Sequence, residues 1–159
     1  INPQAATAGH YACFGASGPT TSGGDEYRYG TMINSSGSQV GSIQVSHSST
    51  AYNTSSDYRL KENVTGLTSA TTRLKQLQPK RFNFIEVPDK TVDGFLAHEV
   101  QSVVPEAITG TKDEVDDDGN AVYQGIDQSK LVPLLVAAIQ EQQTLIETLQ
   151  TKVAALEEA

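Results

Sequence analysis

Ser56 and Lys61 stand five residues apart, with Arg59 between them. A serine hydroxyl attacks a carbonyl only when a neighbouring base takes its proton. Lysine is such a base in its neutral form. An amine with an ordinary pKa of about 10.4 reaches that form through burial or a second positive charge close by. Arg59 is a source of that second charge. The three histidines, His10, His47 and His98, are far apart, so a Ser–His–Asp arrangement has no local signature. A Ser–Lys pair is the simpler arrangement. The same residues also admit a plain reading, in which Ser56 and Asp57 cap a helix and Arg59, Lys61 and Glu62 face solvent. Spacing alone does not separate the two.

Other site chemistry has less to draw on. A single cysteine, Cys13, excludes an intramolecular disulfide framework, and with three histidines a Cys/His zinc site lacks ligands. Asp116-Asp117-Asp118-Gly119 invites a calcium loop. With Gly119 at its sixth position, however, the twelfth falls on Gly125, where a bidentate Glu is required. A solvated hairpin tip is the better reading, and neither a metal nor a cofactor is expected. The formal net charge is -8 and the Lys and Arg residues are scattered, which argues against a nucleic-acid partner. The longest strongly apolar stretch, Leu131–Ile139, is far short of a membrane span. A chain that begins at Ile1 reads as part of something longer.

Three regions surround the Ser–Lys segment. Residues 1–55 are rich in Gly, Ser, Thr and Asn, with short strands expected at Tyr27–Asn34 and Gln39–Ser46 around a Ser35-Ser36-Gly37 turn. So few apolar residues cannot fill a core alone. The segment reads as the end of a β-rich fibrous shaft, with a flexible linker as the alternative. Residues 56–128 have globular composition. Leu60, Val64, Leu67, Leu74 and Leu77 recur at helical spacing until Pro79. Arg81–Ile85 alternates as a strand with Phe82 and Phe84 on one face. Gly94–Ala97 reads as a strand leading into a helix from His98 to Val104, and Glu114–Tyr123 as a hairpin.

Residues 129–159 read as one long helix with Ser129 as N-cap and Pro133 in its first turn. Leu135, Ile139, Gln142, Ile146, Leu149, Val153 and Leu156 alternate four and three apart, a heptad seam. β-branched residues at a with Leu at d favour a dimer, whereas Leu145 at g broadens the stripe and favours a trimer. The expectation is a parallel trimeric coiled coil, ahead of a dimer and of a helix packed on its own domain. The fold class is α+β.

The segment Ser56-Asp57-Tyr58-Arg59-Leu60-Lys61-Glu62-Asn63-Val64 resembles the Ser-Asp-x-Arg-Leu-Lys-x-Asn-Ile/Val signature of the intramolecular chaperone, or peptidase S74, family of phage tail fibres, tail spikes and endosialidases. Leu74–Phe84 is similar to that family's Leu-x-x-Leu-x-Pro-x-x-Phe-x-Phe/Trp run. Gly94–Val100 resembles Gly-Phe-Ile-Ala-Gln-Glu-Val, with His98 in place of Gln, and Val104–Ile108 resembles Phe-Pro-Glu-Ala-Val. Tyr123 and Leu131–Leu156 match the closing coiled-coil portion.

The resemblance implies a chaperone that trimerises the shaft before it, guides its folding and then cuts itself off. It implies cleavage between Ser55 and Ser56, with Ser56 as nucleophile and Lys61 as proton acceptor. The ester so formed is hydrolysed, with an N-to-O acyl shift at Ser56 as the geometrically simpler route to the same ends. Asp57, Arg59 and Glu99 are supporting residues, Glu99 through hydrogen bonding to Arg59 or Lys61, or else as an ordinary helix-surface Glu. His98 reads as a surface variant. The implied assembly is a homotrimer in a virion tail, with the released chaperone left in the host cytoplasm. Two rivals are a trimerisation tip that never cuts, and a receptor-binding or glycan-cleaving fibre whose site lies upstream, since residues 1–55 hold no clustered carboxylate pair.

Overall fold

The computed structural model describes residues 27–45 and 48–158. The start of the shaft-like stretch, 1–26, lies outside the described residues, as do His10, Cys13 and His47. The chain is α+β and divides into two compact units, one reaching to Val64 and one starting at Thr65.

The first unit is a three-stranded antiparallel sheet in the order β1 (Tyr27–Ile33), β2 (Gln39–Val45), β3 (Thr50–Thr54). β-Branched residues and alternation set the strands, and Asn34 closes the first turn by accepting from the Ser36 and Ser38 amides. Strand β2 is central. Gly41 pairs with Thr54, and a Cβ there would meet the Asn53 carbonyl oxygen at 2.9 Å, so only glycine permits this approach. Ser42 on the central strand is buried, whereas β3 is exposed throughout. The expected β1 and β2 form within a residue of their bounds. Strand β3 was not foreseen, because Thr50–Thr54 carries a single large side chain, Tyr52, and no alternating apolar face.

The expected helical run through Leu60, Val64 and Leu67 does not form. The only α-helix in this stretch is α1 (Ala70–Leu74), and Tyr58–Leu60 makes one 3-10 turn. Asn63 (φ 53) and Ser69 (φ 57) adopt left-handed backbone on either side of Gly66, which breaks any helix between them. Leu60 and Val64 are accordingly exposed, while Leu74 and Leu77 pack on the core.

In the second unit β4 (Lys80–Phe84) pairs antiparallel with β5 (Val87–Gly94). Phe82 and Phe84 share a face, edge to face at 5.3 Å between ring centroids. The strand expected to begin at Gly94 instead ends there, and the following helix α2 is shorter than read, Ala97–Gln101. A 3-10 turn at Pro105–Ala107 takes over, because the proline cannot continue the ladder. A short pair, β6 (Ile108–Thr109) with β7 (Gly125–Ile126), brackets the acidic segment. The hairpin expected at Glu114–Tyr123 is reduced to one bridge, Val115 with Ala121, held by the Asp116 side chain accepting from Asp118 N, Asn120 N and Asn120 Nδ2.

The long helix α3 runs Val132–Glu157 behind a 3-10 turn at Gln128–Leu131. Asp127, and not Ser129, caps that 3-10 turn, and α3 itself starts from Leu131 with no side-chain cap. Its Oδ1 accepts from Ser129 N at 3.0 Å and Ser129 Oγ at 2.6 Å. The 3-10 entry moves the cap two residues upstream of the expected position. Pro133 sits in the first turn as expected.

The core lies where α3 begins. Leu131, Leu134 and Ala138 pack with Ala70, Val100, Val103, Val104 and Ala107. Glu141, one turn on, accepts from Ala70 N and Thr71 N at 2.8 Å each and caps α1, whose own Ser69 makes no side-chain cap. The face used is Leu131, Leu134, Ala138 and Glu141. The heptad seam lies on another face: Ile139, Ile146, Leu149, Val153 and Leu156 are each about half exposed or more. Among the described residues no helix is long and apolar enough to cross a membrane.

Candidate active site

The sheet delivers the chain to Ser56. Strand β3 ends at Thr54, yet the ladder continues one step further, with Ser55 N donating to the Val40 carbonyl at 3.0 Å. Beyond it the backbone folds into the Tyr58–Leu60 turn. Asp57 caps that turn: its Oδ1 accepts from Arg59 N at 2.8 Å. Arg59 returns the contact as a fork, Nε to Oδ1 at 2.9 Å and Nη2 to Oδ2 at 2.8 Å. Leu60 N and Lys61 N then donate to the Asp57 and Tyr58 carbonyls, both at 3.1 Å.

This turn brings Lys61 back onto Ser56. Its Nζ lies 2.7 Å from Ser56 Oγ and 3.0 Å from the Ser56 carbonyl oxygen. As an ammonium Lys61 donates both bonds; as a free amine it is placed to accept the hydroxyl proton. The pair is exposed in the single chain. Arg59 does not supply the free second charge that its sequence position suggested, because Asp57 neutralises its guanidinium. That guanidinium holds the Asp57 carboxyl below the ordinary carboxylate range, helped by the Arg59 backbone N–H and by the charge of Lys61. Arg59 itself is pushed up by Asp57.

Glu99, on α2, has Lys80 Nζ 3.5 Å from its Oε2, and that oxygen is buried without a hydrogen-bond donor among the described residues. His98 is exposed on the same helix. The seam residues Leu135, Ile139, Gln142, Ile146, Leu149, Val153 and Leu156 follow one another along α3. Among the described residues no group of three His, Cys, Asp or Glu side chains could hold a metal ion.

Sequence reasoning missed two groups that shape this protein. The Val40 carbonyl is a backbone group with no sequence signature, although the isolated Gly41 beside it marks a close approach of two strands. Glu141 caps residues some seventy positions upstream, a distance no local motif spans.

Residues 56–109 match the family model for the chaperone of endosialidase, Peptidase_S74, and the match starts on Ser56 itself. No curated protein matches the chain significantly. Over residues 56–109 the chain is thus similar to the peptidase S74 family, described as the chaperone of endosialidase, a family-level likeness to an intramolecular chaperone of peptidase type.

Proposed function

We propose that this chain is the C-terminal part of a phage tail fibre or tail spike. It trimerises that fibre, guides its folding, and then releases itself by cutting between Ser55 and Ser56. The observation that carries the reading is the 2.7 Å contact between Lys61 Nζ and Ser56 Oγ, made inside a segment that matches a self-cleaving family.

In this reading neutral Lys61 takes the Ser56 hydroxyl proton as Oγ attacks the Ser55 carbonyl carbon. The tetrahedral intermediate collapses with rupture of the Ser55 C–N bond, and the Ser56 nitrogen leaves with the proton held on Lys61. An ester then joins Ser55 to Ser56 Oγ. Water attacks the ester, giving a Ser55 carboxylate and a domain that begins with a free Ser56 amine. Each chain reacts once. Asp57 and Arg59 act by folding the turn that returns Lys61 to Ser56. Glu99 is a supporting residue, with Lys80 beside it in the chaperone domain.

The order of events follows from the physics of the two units. A sheet whose edge strand β3 is exposed throughout gains little from that strand by folding alone, and aligning long chains carries a large loop-closure cost. The half-exposed heptad seam on α3 supports association of three copies at one end, which sets the register for the rest. Cutting then removes the alignment device, so unfolding is no longer reversible and stability becomes kinetic. The cut fibre belongs in the virion tail and the released domain in the host cytoplasm.

Freshly expressed protein run on a denaturing gel tests the reading. The parent chain should appear as two fragments, and the Ser56→Ala and Lys61→Ala chains as one. The second reading, a trimerisation tip that never cuts, requires the parent to stay whole.

A further inference from the structure

Three hydroxyl residues stand in a row at the end of the sheet, Thr54, Ser55 and Ser56, and Lys61 meets only the last. The cause lies in the ladder. Strand β2 holds Ser55 by its amide on the Val40 carbonyl at 3.0 Å, and the Ser55 hydroxyl is turned to the Gln39 carbonyl at 3.4 Å. In extended chain successive side chains point to opposite faces, so a slip of one residue would exchange the places of Ser55 and Ser56. What pins the last rungs is the pairing of Gly41 with Thr54, made so close that a Cβ on residue 41 would meet the Asn53 carbonyl at 2.9 Å.

We propose that strand β2, through the Val40 carbonyl and the close approach at Gly41, is the specificity-determining element that fixes the acyl half of the scissile bond and selects Ser56 over Ser55 as nucleophile. The inference rests on the self-cleavage reading. Each half of the bond has its own holder. The β2 ladder fixes the Ser55 side, and the Asp57–Arg59 turn fixes the Ser56 side with Lys61. The peptide bond to be broken is the first one past the last rung of the sheet. Val40 acts through the Ser55 amide and Gly41 through its pairing with Thr54, so both are positioning residues.

The test uses the full chain with Gly41→Val, and a second full chain assembled by ligation with N-methylserine at position 55, which removes one backbone donor. Intact mass and N-terminal sequencing over time report both rate and bond. Cutting before Ser56 should slow by about tenfold, the scale of one lost hydrogen bond. A second product beginning at Ser55 should appear in the Gly41→Val chain. A merely stabilising role for the sheet would slow cutting without moving the bond. If both variants cut solely before Ser56 at the parent's rate, the inference is overturned while the self-cleavage reading stands. A parent chain that is never cut overturns both.

Discussion

At Ser56 the hydroxyl and the amine meet through a turn of six residues, and the energetics of that turn are those of exposed groups. Its strongest contact is the Asp57–Arg59 fork. Asp57→Ala removes the cap and the fork together and should slow cutting by about tenfold or more, followed as the decay of full-length chain. Arg59→Lys keeps the charge but not the two-pronged geometry, and should fall between parent and Asp57→Ala in the same assay. The pH dependence has a definite sign. The folded Asp57 carboxyl is held low, mainly by Arg59, so the turn is at full strength above the ordinary aspartate range and is lost as pH falls through the lowered value. Protein kept in acid and then shifted upward in pH should therefore begin to cut, and cutting should fail to resume at any pH in Lys61→Ala.

At the scale of elements, one helix does two jobs with two faces. The Leu131, Leu134, Ala138 face closes the core, and Leu134→Ala should destabilise the second unit by about 2–5 kcal/mol in denaturant melts. The seam face makes no comparable core contact, so Ile146→Asp should leave that stability unchanged at low protein concentration and abolish association. Glu141 joins the helix to α1. Its carboxyl is held low chiefly by the Thr71 and Ala70 amides, so this link is complete above the ordinary glutamate range and is lost as pH falls through the lowered value. Glu141→Gln should lower the melting temperature at neutral pH and shrink its fall toward acid, a difference readable by comparing the two melting curves.

Elements with a strong periodic signal were legible in the sequence: β1, β2, β4 and the long α3. The reading failed where the backbone, and not side-chain pattern, decides. Left-handed Asn63 and Ser69 stop a helix that Leu60, Val64 and Leu67 advertise. Strand β3 exists because β2 offers it a ladder, not because Thr50–Thr54 demands one. The Ser56–Lys61 pair was legible only through the motif around it, since its geometry depends on a turn closed by Asp57 that spacing cannot reveal.

Across the whole molecule, the sequence divides at the family segment's start, Ser56, while packing divides after Val64. The proposed cut therefore falls inside the first compact unit, close to its end. That position suits a bond whose two sides are to part, because the ladder secures Thr50–Thr54 and the Ser55 amide, and among the described residues no strand of this sheet lies beyond them. Native mass should report three copies for the uncut Ser56→Ala chain, and fewer for Ile146→Asp. The central claim, that this chain cuts its own backbone before Ser56 with Lys61 as base, is tested most directly by the intact mass of freshly expressed parent and Lys61→Ala proteins. The parent should give a fragment whose mass and first residue correspond to Ser56 onward, and Lys61→Ala a single full-length mass. A full-length parent, or a Lys61→Ala chain cut as fast as the parent, would contradict it.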